Sequence, residues 1–335
     1  MGDFAARLGT RFLVVTVVPT VLLIGYLGFL LAAGAPAHSL SPAHALKALD
    51  DLNLNRIIAV IVGVLVISVA SHPLQLPLIQ LVEGYWSGLP RGSRLANRAT
   101  ERFRREQQKA IDDLTQEDER PTNWSDSYIG RAAQARLDWL PEHTEDLLPT
   151  ALGNTLLRGE TSAGQPYGLE LLAAWPRLVP LLPSDVLAEI NDRRNQLDAA
   201  VRLCVTSSIA TAASIGLLLR DGPWLFLALG TYLLCWACYR SAIAASRGYS
   251  ISLAAAVDLY HLRLFDGLSL QRPANLTEEI QRNKVITQMF RREYLDSEDK
   301  STFQYIADQG DNLEASSPQA DGPADSAPKA SPGQP

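Results

Sequence analysis

Charged side chains are missing from four long stretches of this 335-residue sequence. Residues 12–33 and 57–82 contain no Asp, Glu, Lys or Arg, and 201–219 and 224–241 contain only Arg202 and Arg240, near their ends. Membrane enzymes and ion-coupled transporters place ionisable groups inside their spans. Their scarcity here argues against both. Histidine is also rare, with five in all. There is no H-E-x-x-H, and His143, beside Glu142, has no second His at helical spacing, which argues against metal-dependent catalysis. Cysteine is confined to Cys204, Cys235 and Cys238, all within apolar runs. The pair Cys235 and Cys238 is formally a C-x-x-C, but redox and zinc versions need thiolates stabilised by positive charge, a helix N-terminus or a metal. Thiols in an apolar helix stay protonated and pack as small hydrophobes. Neither a metal nor a cofactor is expected.

What the chain does have is apolar length. Residues 12–33 make a helix of about 33 Å, enough to cross a hydrocarbon core of about 30 Å. Pro19 is expected to kink it. A signal peptide is the competing reading, because Arg7 and Arg11 precede the run and Ala33-Gly34-Ala35 looks cleavable. The run exceeds the roughly 7–15 residues of an h-region, which favours a retained helix. A second span, about 57–80, passes Pro73 and Pro77, each of which removes a backbone donor. It should bend near its cytosolic end and lead to Glu83-Gly84-Tyr85-Trp86, where Tyr and Trp suit headgroup depth. Arg220-Asp221-Gly222-Pro223 is a tight turn that joins the last two runs into an antiparallel hairpin.

Basic residues give the orientation. The 34–55 loop has only Lys47, with Arg56 at its edge, whereas 87–110 has Arg91, Arg94, Arg98, Arg102, Arg104, Arg105 and Lys109. Positive charge marks the cytosolic side. Residues 34–55 should therefore lie outside, and 87–200 and both termini inside. Only five of the 30 basic residues are Lys, a bias associated with GC-rich bacterial genomes, so a bacterial inner membrane is the expected location. The formal charge of −6 hides an uneven distribution. From Glu293 onward nine acids face two lysines, so the tail carries −7 and the rest of the chain +1.

The soluble segments read as helices. Leu95, Ala99, Phe103, Ala110, Ile111 and Leu114 form a thin stripe at 3–4 spacing, which predicts a helix over about 93–117. Further helices are expected over 129–140, 145–158 and 168–175. A long one should be capped by Ser184 and run through Asp198 into the third span. Leu253, Val257, Tyr260 and Leu264 share a face, which predicts an amphipathic helix over 249–265 on the bilayer or the domain. Asn275 with Glu278 resembles a capping box opening a last helix that ends near 294. The small and polar residues beyond 310 predict disorder. The expected fold is all-α, a four-helix transmembrane protein with an α-helical cytosolic domain and a disordered C-terminal tail. It divides into an N-terminal transmembrane pair (1–86), the cytosolic domain (87–200), a C-terminal hairpin (201–245), membrane-proximal helices (246–295) and an acidic tail (296–335).

The least generic residues lie at 152–178. Asn154, Arg158, Tyr167, Glu170, Trp175 and Arg177 put polar groups beside aromatics and turn devices. They are candidates for a cytosolic-interface pocket against the helix bearing Glu83. Arg91, Arg94, Arg98, Arg102 and Arg105 are candidates for contact with anionic lipid, their position after a membrane segment favouring headgroups over nucleic acid. Leu152-Gly153-Asn154, Leu157-Arg158, Tyr167-Gly168-Leu169-Glu170 and Trp175-Pro176-Arg177-Leu178 resemble an L-G-N-x-L-R, Y-G-[ILV]-[DE], W-P-R-L pattern. That pattern is associated with uncharacterised bacterial multi-pass membrane proteins. The resemblance covers about 150–183, with a looser echo at 249–265. Glu170, where Asp is commoner, and Leu157 before Arg158 are mild departures. The family has no assigned activity, so the resemblance implies architecture and bacterial origin only.

No catalytic motif stands out. The leading expectation is an interaction or sensing module in the bilayer, meeting a cytosolic protein partner or a second copy of itself. The alternatives are a membrane-bound enzyme or effector with its site at the cytosolic interface, or an oligomeric pore lined by the small and hydroxyl residues of the third run.

Overall fold

A computed structural model describes residues 17–36, 53–71, 75–86, 92–118 and 124–295, with 40, 41, 43–45, 47, 73 and 305. The expectations for residues 12–16, Arg91 and the tail beyond 295 (Tyr305 apart) lie outside the described residues. Those described are 82% helical and form no strand, so the fold is all-α. One isolated antiparallel bridge pairs Leu270 with Tyr305.

Three helices open the described chain: α1 (Val18–Ala32), α2 (Leu54–Ser71) and α3 (Gln75–Glu83). Pro19 stands in the first described turn of α1. The break between α2 and α3 falls around Pro73. Next come α4 (Gly92–Asp118) and α5 (Trp124–Leu137), which pack on each other. α4 departs from the predicted 93–117 by one residue at each end.

The helix expected over 145–158 starts later, as α6 (Ala151–Ser162). A short 3-10 turn at Thr144–Asp146 precedes it, and Thr150, in extended geometry, is its N-cap. α7 (Leu171–Leu178) ends in a 3-10 turn and leads to α8 (Ser184–Leu218). Pro183 occupies the N-cap of α8, so Ser184 lies inside the helix rather than capping it.

Among the described residues, two helices are long and apolar enough to cross a membrane: α8 and the helix that follows the 222–225 turn, α9 (Phe226–Tyr260). Each has 35 residues, about 52 Å of helix. That exceeds a hydrocarbon core of about 30 Å. The surplus lies at the end away from the tip, where α8 carries Asp185, Glu189, Asp192, Arg193, Arg194 and Asp198. The amphipathic helix expected over 249–265 is therefore mostly the far end of α9. Nothing between 241 and 249 breaks the helix, and Ala242, Ser246, Ser250, Leu253 and Val257 continue one buried stripe along it. Only the part after Tyr260 is separate, as α10 (Arg263–Gly267). α11 (Leu276–Arg291) is the last described helix, and Asn275 caps it as predicted, while the Glu278 side chain reaches the N–H one residue before the cap. Glu278 donates its backbone N–H to Asn275 Oδ1 at 3.0 Å, and the Ala274 N–H donates to Glu278 Oε2 at 2.7 Å.

The hairpin closes through small and hydroxyl side chains. Ser207, Ala210 and Ser214 are buried. Thr211 donates to Thr231 at 3.1 Å, and Tyr26 and Ser214 share a hydrogen bond of 2.6 Å that fixes α1 to α8. The cysteines are free, with Cys204 and Cys235 sulfurs 3.8 Å apart. Beneath the hairpin, Leu152 and Leu156 of α6 pack with Leu197 and Val201 of α8 and Ala242 of α9. A second cluster joins Leu171, Leu178, Ile190, Leu253 and Val257. A third gathers Leu169, Ala174, Phe265 and Ile286, so α7, α10 and α11 share one core. Both membrane-length helices thus run without a break into the part of the fold packed against α6 and α7.

Candidate functional site

The residues singled out at 152–178, with Glu83, fall into distinct settings. The first is the joint between the end of α3 and the start of α6. Gly84, at φ 102°, turns the chain out of α3 in a left-handed conformation. The N–H groups of Gly84 and Tyr85 both donate to the Gln80 carbonyl, at 3.0 and 2.9 Å, and the Trp86 indole donates to that of Leu81 at 2.7 Å. Thr150 donates its hydroxyl to the Glu83 carbonyl at 2.5 Å and accepts the Gly153 N–H at 3.1 Å. One side chain thus satisfies a helix end on each side of the joint. A Cβ at Gly153 would overlap the Glu83 carbonyl oxygen. Asn154 is completely buried and grips the Leu148 backbone twice, accepting its N–H at 2.6 Å and donating to its carbonyl at 3.0 Å. The Leu-Gly-Asn triplet therefore has a physical reading at each position: core, close approach and loop clamp.

Around this joint the carboxyl of Glu83 meets other charges. Burial pushes it up from the ordinary 4.5 to about 7, with Glu160 adding to the rise, Arg194 opposing it and Asp198 adding again. Burial also raises Glu160, against the pull of Arg194. Tyr85 is raised by burial and by the Glu83 and Glu160 charges. Tyr249 is raised by burial, and Arg194 opposes that rise while Glu160 and Asp198 add to it. Asp198 is only 4% exposed, and Arg202, one turn further along α8, is 7% exposed. Four elements (the end of α3, α6, α8 and α9) thus contribute to one electrostatic neighbourhood. A carboxyl near 7 can give or take a proton at neutral pH. The same arrangement also pins three helices and a chain turn together.

The second setting holds Tyr167, Glu170 and Arg177, which serve as the seat of α11. Tyr167 stacks on His261 with ring centroids 3.9 Å apart, donates to Asp258 at 3.1 Å and offers its carbonyl to Asn283 at 2.9 Å. His261 approaches the Val257 carbonyl through Nδ1 at 2.9 Å and Glu279 through Nε2 at 3.0 Å. Glu170 pairs with Arg291 at 2.5 Å, and its N–H donates to Thr287. The Arg177 guanidinium lies 4.5 Å above the Phe290 ring. Trp175 is half-buried against the cluster of Leu171, Leu178 and Val257.

Arg158 belongs to a third setting, 3.4 Å from Glu142, which also accepts from Gln165 at 2.8 Å. The Gln165 bond is the main reason the Glu142 carboxyl lies below its usual range. Among the described residues no group of three or more His, Cys, Asp or Glu is placed to hold a metal ion.

Sequence reasoning missed Glu160, Arg194 and Asp198 as neighbours of Glu83, and His261, Glu279 and Asn283 as partners of Tyr167. Helical spacing could have found the first group, since Gly153 and Glu160 stand two turns apart on one face of α6 and Arg194 and Asp198 one turn apart on α8. The second group depends on which way α11 folds back, for which the sequence has no local signal. The chain matches no family model, no curated protein and no solved structure.

Proposed function

We propose that the chain is a four-span bacterial inner-membrane protein with both termini in the cytosol, acting as an interaction or sensing module. α8 and α9 supply the two membrane-length helices. The apolar α1 and α2 supply the other two on this reading, and the basic residues between 91 and 109 support a cytosolic 87–200 region. The observation that carries the reading is continuity. α8 and α9 pass from the apolar hairpin into the soluble body as unbroken helices. A displacement of the hairpin therefore reaches the surface that α6 and α7 build, since both pack on α8 and α9, and a partner bound there is coupled to the state of the membrane.

Crosslinking in intact cells followed by mild-detergent purification tests this. Crosslinks from 92–178 to a second protein, or to a second copy, are the expected result. Links confined to a single chain would contradict it.

A second reading, an enzyme or effector at the cytosolic interface, is favoured by the Glu83 carboxyl poised near 7 beside Glu160. It requires that Glu83→Gln and Glu160→Gln abolish a cellular phenotype while leaving expression and melting unchanged. Reduced expression in both variants would leave the carboxyls a structural role alone.

A further inference from the structure

α4 presents a charged face that the rest of the fold leaves bare. At 100° per residue, Arg94, Arg98, Arg102, Arg105 and Lys109 fall within an arc of about 80°. All five are exposed. Among the described residues, Arg94, Arg98, Arg102 and Lys109 make no ion pair or side-chain hydrogen bond, and Arg105 lies 3.5 Å from Glu101 at the edge of the stripe. The opposite side of α4 is the one that packs. Ala110 is completely buried, and Gln107, 4% exposed, donates to the Pro141 carbonyl at 2.8 Å. That bond fixes the rotation of the helix and turns the basic stripe outward. The stripe is about 22 Å long. Glu101 and Glu106 border the stripe without entering its arc, and Asp112 ends it.

We infer that this face of α4 lies on an anionic phospholipid surface, with the five basic side chains on headgroup phosphates. The inference rests on the reading that the chain crosses a membrane. Position chooses the partner, since α4 begins six residues after Trp86, at the end of the segment that leads out of α2 and α3. Exposed Leu95 flanks the stripe near that end, where an apolar side chain can enter the headgroup layer. Single-stranded nucleic acid, the other polyanion, would need stacking aromatics within the stripe. The only aromatic on α4, Phe103, is half-buried on the packed side.

The full-length protein in lipid nanodiscs provides the test, read as hydrogen exchange across 92–110. Replacing phosphatidylcholine with a mixture containing about 30% phosphatidylglycerol should slow exchange about tenfold there, and not in α7 or α11. High salt should restore the fast rate, because exposed charges are screened. The fivefold substitution of Arg94, Arg98, Arg102, Arg105 and Lys109 by Gln should remove the lipid response; Gln is a good helix former, and the salt titration needs no variant. Equal exchange in the two lipids, or protection that salt does not reverse, would overturn the inference. So would protection induced by RNA oligonucleotides but not by phosphatidylglycerol. A chain that fails to enter nanodiscs at all would overturn the membrane reading, and the inference with it.

Discussion

Thr150 donates its hydroxyl to the carbonyl oxygen of Glu83 at 2.5 Å, across 67 residues of sequence. The Thr150 hydroxyl oxygen also accepts the Gly153 N–H as the N-cap of α6, so one hydroxyl couples the end of α3 to the start of α6. Thr150→Val keeps the shape and removes both bonds. It should cost about 1–3 kcal/mol, the range for a lost cap with a desolvated carbonyl left behind. Thr150→Ser should recover most of that. Thermal unfolding in detergent reads the difference, and equal melting of Val and Ser variants would show that the hydroxyl is not used.

Gly153 tests the same joint by volume. An added methyl at 153 meets backbone oxygen, which cannot swing aside, whereas one at Gly216 or Gly230 meets nothing within 4 Å. Gly153→Ala should therefore destabilise by more than about 2 kcal/mol. Gly216→Ala and Gly230→Ala should stay within about 1 kcal/mol, with helix propensity in their favour. Similar melting for all three would place the α3 and α6 ends farther apart.

Glu83 gives the joint a pH dependence. Its folded carboxyl is raised from 4.5 to about 7, so the folded protein holds this proton more tightly than the unfolded chain does. The stabilising contribution is complete below about 4.5 and is lost as pH rises through about 7. Stability of the wild type should fall across that interval, and Glu83→Gln, which mimics the protonated form, should flatten the profile. A wild-type profile that rises from pH 5 to 8 through this residue would have the wrong sign.

The seat of α11 separates strong contacts from weak ones. Glu170 and Arg291 are close, but their side chains are 36% and 49% exposed, so the pair contributes at most about 1 kcal/mol. Asn283 is 1% exposed and donates to the Tyr167 carbonyl. Glu170→Gln should leave exchange of α11 nearly unchanged, while Asn283→Leu should loosen the helix along its length. If Glu170→Gln removes function with melting and α11 exchange intact, that carboxylate is a contact for something outside the chain.

Much of this architecture was legible because periodicity and charge are local. The α4 boundaries followed from a stripe of apolar residues at 3–4 spacing, and the α11 N-cap followed from Asn275 and Glu278. The start of α6 was not legible, since Glu145 and Asp146 suit a first helical turn until Pro149 and the Thr150 cap are seen to stop it. Asn154 and Tyr167 stand out by composition, but composition does not name their partners, Leu148 six residues away for the first and the distant Asp258 and Asn283 for the second. Asn154 turned out to clamp a loop, and Tyr167 to hold α11. Composition shows that a residue is unusual, and only the packing of distant helices shows what it faces. The same limit hid the fate of 249–260. An amphipathic stripe looks alike whether the helix is separate or continues a span.

Paired reporter fusions test the central claim most directly, one reporter active only in the cytosol and one only outside it. Placed after residues 45, 150, 221 and 335, they report the side of each junction. The account predicts cytosolic activity at 150 and 335 and external activity at 45 and 221. External activity at 150, or the same side at 150 and 221, would contradict it.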